Sequence, residues 1–285
     1  MEPDRLRFAA DQCPLPNSGI PSLHHTKWYA NGHYPHNRIR YDHDGQTITV
    51  FENRFISWHR SFTATTPQPA TNPGYIAIHE WIPKYQLKNT SGWFRFGREY
   101  TVAYATLHPN YRNDWRQQAK RHFKAFLRSG CTLRNGSKAD VELLYKTSQV
   151  PKSLQEAMLK VLDRQLLAHP ETIDILVAEK NQIPVACLVS GNCDEAKMSE
   201  YIIGAFHPNY KKDNPMVGLV DWWYQRSITR GYATLTFGHM EPKTTKGPLS
   251  GNGYSFFKTH FNVTRMWFPK NHWRIRLNHK RPTTT

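Results

Sequence analysis

The residues that could do chemistry fall into two sets, one able to move protons and one able to hold phosphate. In the first are two carboxylates, Asp221 and Glu241, and two histidines at the ends of expected strands, His207 and His239. Either carboxylate could take a proton from a reacting group, and nothing in their surroundings separates them. No serine or cysteine stands in a pattern with histidine and an acid that would activate it. The residues therefore give no sign of a covalent nucleophile. Metal chemistry has no ligand set. The histidine-rich start SLHHTKWYANGHYPH lacks acidic or cysteine partners at ligand spacing, and the four cysteines form no CxxC pair.

The second set is cationic. Arg116, Lys120, Lys124 and Arg128 recur every four residues, with Arg121 beside them, so that one face of an expected helix is basic. Lys211 and Lys212 follow a turn-forming HPNY, and a basic tail begins at Lys270. The 38 Lys+Arg against 22 Asp+Glu give a formal net charge of +16, a field that draws polyanions such as nucleic acid or phosphorylated substrates. Aromatic residues near these cations, Trp222, Trp223 and Tyr224 on one helix and Tyr201 on the strand before it, could stack an unpaired base or line a substrate pocket. Trp223 falls on the apolar face of its helix and belongs to the core.

The elements that must carry these groups can be read in order. At 285 residues, with 39% hydrophobic and 13% aromatic content, the chain is long enough for one large or two small domains with a real core. No apolar run reaches the ~20 residues of a membrane span. The start MEPDRLRFAADQC has no apolar signal core, so a cytoplasmic protein with free thiols is expected. Residues 1–110 read as mostly β: a hairpin in YDHDGQTITVFENRFISW with a turn at Asp44-Gly45, a loop over 65–74, and strands over 75–83 and 97–107. From 114 to 130 a helix is expected, with Asp114 as N-cap, an apolar stripe through Trp115, Ala119, His122, Phe123 and Phe126, and Gly130 ending it. A second helix begins at 153 with a Ser153/Glu156 capping box and stops near His169-Pro170.

Strands follow over 173–180 and 183–191, turned by Asn181-Gln182, and a third over 198–206. A helix then starts behind Asn214 with Pro215 at its first position and ends before Gly231. A strand over 232–238, a glycine-rich loop over 245–253, a short helix over 254–261 and a strand over 263–268 complete the chain before its basic tail. The expected division is a β-rich unit over 1–110, a mixed domain over 111–268 and a tail over 269–285.

HPNY occurs twice, in LHPNYRND (107–114) and FHPNYKKDNP (206–215). The repeat invites the reading that the two are matching strand-to-helix corners of a duplicated architecture, although Pro-Asn turn chemistry alone also produces such a likeness.

Three segments together resemble the FemABX-like aminoacyltransferases, within the superfamily of GNAT-fold acyltransferases. WRQQAKRHFKAFLRSG looks like the basic helix that opens the second half of those proteins. YIIGAFHPNYKKDNPMVGLVDWWYQRSITRGYATLTFG is similar to their strand, their loop ending in Asn-Pro, the helix behind it and a closing G-x5-F-G. GNGYSFFKTHFN resembles their GxYxFKxxF element. The likeness covers about residues 100–268, and the order of elements is that of the GNAT fold. It implies an α/β (α+β) protein with a mixed, mostly antiparallel, splayed sheet flanked by helices, preceded by a partial β-rich GNAT-like unit onto which the tail could return.

The resemblance further implies acyl transfer to an amine, with a ligand entering between diverging strands. Lys258 would contact the transferred aminoacyl end, with Phe257 walling its pocket. Tyr254 would offer a hydroxyl, and Asp221 or Glu241 would be the proton acceptor. Arg116, Lys120, Arg121, Lys124, Lys211, Lys212, His207, Trp222 and Tyr201 would form the substrate or tRNA surface. The donor would be aminoacyl-tRNA and the acceptor an amine-bearing peptide, peptidoglycan precursor, protein N-terminus or small molecule. No resident cofactor or metal and no integral membrane segment is expected. Acyl-CoA is the alternative donor, although the second HPNY stands where CoA-dependent relatives carry Q/R-x-x-G-x-G/A. A non-catalytic basic module that binds nucleic acid is the alternative outside enzymes.

Overall fold

A computed structural model of the chain describes residues 5–7, 40–41, 47–52, 55–61, 76–81, 92–96, 100–194, 196–240, 254–268 and 270–277. The strands in order are β1 (Arg5–Arg7), β2 (Arg40–Tyr41), β3 (Thr47–Glu52), β4 (Ile56–Ser61), β5 (Ile76–Trp81), β6 (Phe94–Phe96), β7 (Tyr100–Thr106), β8 (Thr132–Asn135), β9 (Ile173–Lys180), β10 (Ile183–Cys193), β11 (Met198–Phe206), β12 (Thr234–His239), β13 (Thr264–Phe268) and β14 (Asn271–Leu277). The helices are α1 (Gln117–Leu127), α2 (Lys138–Thr147), α3 (Lys152–Ala168), α4 (Pro215–Thr229) and α5 (Tyr254–Thr259). The chain forms two compact units, one of Met1–Arg5 with Thr101–Met266 and one of Leu6–Tyr100 with Trp267–Thr285. The class is mixed α/β of GNAT-like topology, with mostly antiparallel sheets.

One sheet has eight strands in the order β1-β13-β7-β12-β11-β10-β9-β8, and the other has six in the order β2-β3-β4-β5-β14-β6. A common pattern runs through both. Along β9-β10-β11-β12-β7 the neighbours are antiparallel, antiparallel, parallel and antiparallel. Along β2-β3-β4-β5-β14 the same four relations recur. The repetition therefore lies in strand direction. The two HPNY corners are no marker of separate copies, because both leave the same sheet, one after β7 and one after β11, each through a 3-10 turn.

The longer sheet is covered on both faces. β10 is buried from Val185 to Cys193, as a strand between two helical layers must be. Its alternate residues feed two clusters. Ala186 and Leu188 join Trp115, Ala119, Leu219 and Trp223 from the α1 and α4 side. Cys187 and Val189 join Val141, Leu144 and Leu162 from α2 and α3. α1 and α4 approach closely because residue 218 is glycine. A Cβ there would stand 2.3 Å from Cζ of Phe126.

Local signals account for most boundaries. Asn181 and Gln182 both have positive φ, 52° and 63°, which a two-residue turn of matching twist requires. Gly130 and Gly231, each at φ 74°, stand just past α1 and α4. Three expectations differ. Asp114 does not cap α1, because its carboxylate is held 2.6 Å from His108 Nε2, and the helix begins three residues later behind Arg116. Ser153 lies inside α3 and caps nothing, since Pro151 already starts that helix. The capping box that does form is Ser137/Asp140, at the start of α2, a helix the pattern did not reveal. The Asp44-Gly45 turn lies outside the described residues, although β2 and β3 on either side of it pair antiparallel.

Candidate active site

The two sheets differ at one seam. β4 and β5 stay in register for six pairs, from Ile56↔Ile76 to Ser61↔Trp81. β11 and β12 pair for only three, Met198↔Thr234, Ser199↔Leu235 and Glu200↔Thr236, and then part. A bulge lies on each side of the opening. In β11 the register against β10 passes from Val189↔Ile203 to Ser190↔Tyr201, leaving Ile202 without an opposite number. In β12 it passes from Thr236↔Tyr104 to His239↔Val102 against β7, one residue longer on the β12 side, with Gly238 at φ 67°. Each extra residue bends its strand, so that β11 follows β10 and β12 follows β7, and the seam opens as a wedge.

Three groups converge where the wedge begins. Glu200 is the last residue of β11 paired with β12, and its Oε1 lies 3.8 Å from the position a Cβ on Gly238 would occupy. Lys258, from α5, is 1% exposed, and its Nζ donates a hydrogen bond to the backbone carbonyl of His239, at the end of β12. α5 is held there by aromatic contacts. Phe257 meets Phe261 edge-on at 5.0 Å, and Phe261 stacks on Phe237 of β12 at 5.5 Å.

Burial moves the two charges toward each other in pKa. Removed from water, the Lys258 ammonium is lowered to about 7, with the Glu200 charge opposing part of the fall. The Glu200 carboxyl is raised to about 7 by the same desolvation, partly opposed by Lys258. Two coupled groups whose values lie near neutrality are suited to acid–base work.

The structure brings together only some of the residues singled out by sequence. Lys258, Phe257 and His239 are at the wedge. Tyr201 is there through its backbone: its carbonyl lies 3.6 Å from the Gly238 Cβ position, while its ring is buried against Phe237 and Trp223. The side chain of Tyr254, all of Glu241, the loop 245–253 and the histidine-rich start lie outside the described residues.

Asp221 is not available as a base. Tyr111 Oη donates to its Oδ1 at 2.8 Å and Arg112 Nε to the same oxygen at 2.5 Å, while Arg112 Nη2 and Gln225 Nε2 each donate to Oδ2 at 2.7 Å. Its four acceptor positions are filled, and its role is to fasten the first HPNY corner to α4. Trp223 and Tyr224 are core residues, and only Trp222 of the three is half-buried, under the Arg226 guanidinium at 5.4 Å.

His207 accepts a hydrogen bond from the amide of Asn209 at 3.3 Å and so braces the second corner. Lys211 and Lys212 are exposed on that corner, and Arg116, Arg121 and Lys124 are exposed on α1. Lys120 bends back to donate to the carbonyl of Asn113 at 2.7 Å. The corner before α4 offers little to a pyrophosphate. The amides of Tyr210, Asn214 and Val217 are spent on His207, Lys211 and Asn214 carbonyls, and Pro208 and Pro215 have none. Among the described residues no group of three or more His, Cys, Asp or Glu could hold a metal ion.

Sequence reasoning missed Glu200. The available signal was a lone carboxylate in MSEYIIGAF, a strand otherwise fit for the middle of a sheet, where an acid is rare without a task.

No protein family matches the chain by sequence, and no curated protein does. Solved structures match by fold. FemX superposes with a TM-score of 0.63 at 9% identity, over 95% of this chain and 97% of its own. L-PGS from Bacillus licheniformis gives 0.50 at 13%, over 94% and 90%. A conserved protein of unknown function from Bacteroides thetaiotaomicron gives 0.50 at 8%, over 81% and 82%. The chain thus has the fold of FemX across nearly its whole length.

Proposed function

We propose that the protein is an acyltransferase of the aminoacyl-tRNA-dependent kind, which moves an amino acid from the 3′ ester of a charged tRNA to the amine of a peptide or small-molecule acceptor. The observation that carries this reading is the coupled pair of a buried Lys258 and a half-buried Glu200 at the mouth of the parallel β11–β12 seam. Support comes from the fold shared with FemX and from the motif likeness to FemABX-like aminoacyltransferases, in which the FK of GxYxFKxxF falls on Phe257 and Lys258.

The chemistry follows from the pair. The acceptor amine attacks the ester carbonyl, and the carbonyl oxygen gathers negative charge. Backbone N–H groups around the Ile202 bulge, where β12 has left the ladder, would be the donors that receive it. Glu200, ionised, takes a proton from the attacking nitrogen. Lys258, protonated, gives one to the departing ribose oxygen. The C–O bond breaks, the C–N amide bond remains, and Glu200 returns the proton to Lys258. With both groups near 7, that return is close to thermoneutral. The cations of α1, Arg116, Lys120, Arg121 and Lys124, together with Lys211 and Lys212, would carry the RNA backbone. The spent amides of the second corner favour RNA over CoA as donor.

The test is a donor comparison at fixed acceptor. Purified protein is given tRNAs charged with labelled amino acids in one arm and labelled acyl-CoA in the other. Amide product from the RNA arm, suppressed by raised salt, supports the proposal. Product from the CoA arm alone removes the tRNA from it, and product from neither removes the enzyme.

A further inference from the structure

α1 and α5 meet in a corner rich in cations, and neither element carries an acid. From Trp115 to Leu127, and again from Tyr254 to Thr264, no aspartate or glutamate occurs, while Arg116, Lys120, Arg121, Lys124 and Lys258 do. The two elements are joined by the amide of Arg116, which donates to the carbonyl of His260 at 2.9 Å. The N-terminus of α1 has no side-chain cap and no acid in its first turn, so its positive end is uncompensated.

Two histidines sit in this corner with ring centroids 6.1 Å apart, His122 on α1 and His260 just past α5. His260 is 5% exposed, its ring is held edge-on by Phe256 at 4.7 Å, and its Nε2 is sealed from solvent with no hydrogen-bond partner. A sealed imidazole nitrogen without a partner, beside an uncapped helix start, is an unfilled half of an interaction.

We infer that this corner is a proton-linked phosphate site, in which His122 and His260 hold a substrate phosphate together with Arg116, Arg121 and the first turn of α1. The inference rests on the reading that the chain takes a phosphate-bearing donor, and names where that phosphate sits and what controls it. With the corner empty, burial and the neighbouring Arg121 lower His122 from the ordinary imidazole value, and burial, His122 and Arg116 lower His260. The other charges nearby do not reverse this. Among the described residues, Lys258 and the two further α1 lysines are cations, Glu200 faces Lys258, Arg112 is paired with Asp221, and Asp114, two residues before Arg116, is held by His108 at 2.6 Å. A phosphate reverses the balance, because it favours imidazolium and so binds together with a proton. The site loads more readily as pH falls through the histidine range and releases as pH rises. Each proton taken up steepens the affinity by about tenfold per pH unit above the free histidine pKa.

The phosphate could belong to an RNA backbone or to a CoA-type pyrophosphate, and two probes separate them. Histidine Cε1–H resonances of the full-length protein are titrated by NMR, free, with a short single-stranded RNA ending in CCA, and with coenzyme A. Raised pKa values for His122 and His260 with RNA assign the site to the nucleic-acid backbone, and raised values with coenzyme A assign it to a pyrophosphate. Unmoved values with both overturn the inference. The pH slope of RNA affinity gives the second readout, falling by at least one proton in His122→Gln with His260→Asn; an unchanged slope also overturns it. Because the titration needs no variant, misfolding of the double substitution does not blunt the test. Active transfer beside unresponsive histidines would leave the acyl-transfer reading standing and remove this site alone.

Discussion

Lys258→Met should make the protein more stable and the enzyme inactive, and the stability gain should depend on pH in a way that can be worked out. An ammonium at 1% exposure, with its pKa lowered from 10.5 to about 7, reports how much the folded state disfavours the charge. Over some three pKa units, at 1.36 kcal/mol each, the cost at or below pH 7 is on the order of 4 kcal/mol. Methionine has nearly the same length and no charge, so it removes that cost. It forfeits the hydrogen bond to the His239 carbonyl, about 1 kcal/mol. The variant should therefore gain on the order of 3 kcal/mol at pH 6 to 7.

The sign with pH follows from proton counts. Between about 7 and 10.5 the unfolded chain holds a proton on Lys258 that the folded chain has released, so wild-type stability rises with pH across that window. The advantage of the variant shrinks by about 1.4 kcal/mol per unit, disappears at about pH 9 and reverses above it by the lost hydrogen bond. Urea denaturation of both proteins at several values from pH 6 to 9.5 measures the gap. A variant less stable than wild type at pH 6, or a gap that does not change with pH, would refute the reasoning that burial of a charge sets this lysine's behaviour.

Other expectations are more compact. Glu200→Gln removes the proton acceptor and the charge that helps keep Lys258 ionised, so transfer should fall by about 10²-fold or more. The acidic limb of the pH–rate profile, centred on the Glu200 value of about 7, should vanish, and a persisting limb would assign it to another group. Asp221→Asn leaves Arg112 without its bidentate partner and should cost about 3 kcal/mol in thermal or urea unfolding, with the pH–rate profile unmoved; a shifted profile would return Asp221 to the list of bases. Gly218→Ala should destabilise by about 1–2 kcal/mol, since the added methyl meets the Phe126 ring at 2.3 Å and the gain in helix propensity is smaller; a stabilised variant would show that α1 can withdraw freely.

The sequence disclosed the elements whose signals are local. The Asn181-Gln182 turn, Gly130, Pro215 and Gly231 mark boundaries by backbone chemistry that a single residue carries, and the structure has them where they were expected. α2 was hidden because it is only 10 residues long and its capping acid is Asp140 rather than Glu or Gln. Ser153 and Asp114 misled for a related reason. Capping residues are common in helices and loops alike, and Pro151 and His108 decided those two starts.

The wedge could not be read from the chain at all. It depends on where β11 and β12 lose register, and a bulge of one residue leaves no mark in a strand that remains apolar. Glu200 is the consequence: its neighbour across the opening, Gly238, is 38 positions away, and Lys258 is 58. Lys258 was found by motif likeness and Asp221 by nearness in sequence. Asp221 faces Arg112, a partner more than a hundred positions earlier that no local rule names.

The central claim is that Glu200 and Lys258, at the mouth of the opened seam, perform acyl transfer. It is tested most directly by single-turnover kinetics with charged tRNA and an amine acceptor, comparing wild type with Glu200→Gln and with Lys258→Met, all three verified as folded. The expected result is rapid passage of label from RNA into an amide in the wild type and a loss of about 10²-fold or more in each variant, with the double variant no worse than the product of the two. Transfer at the wild-type rate by either variant would contradict the account.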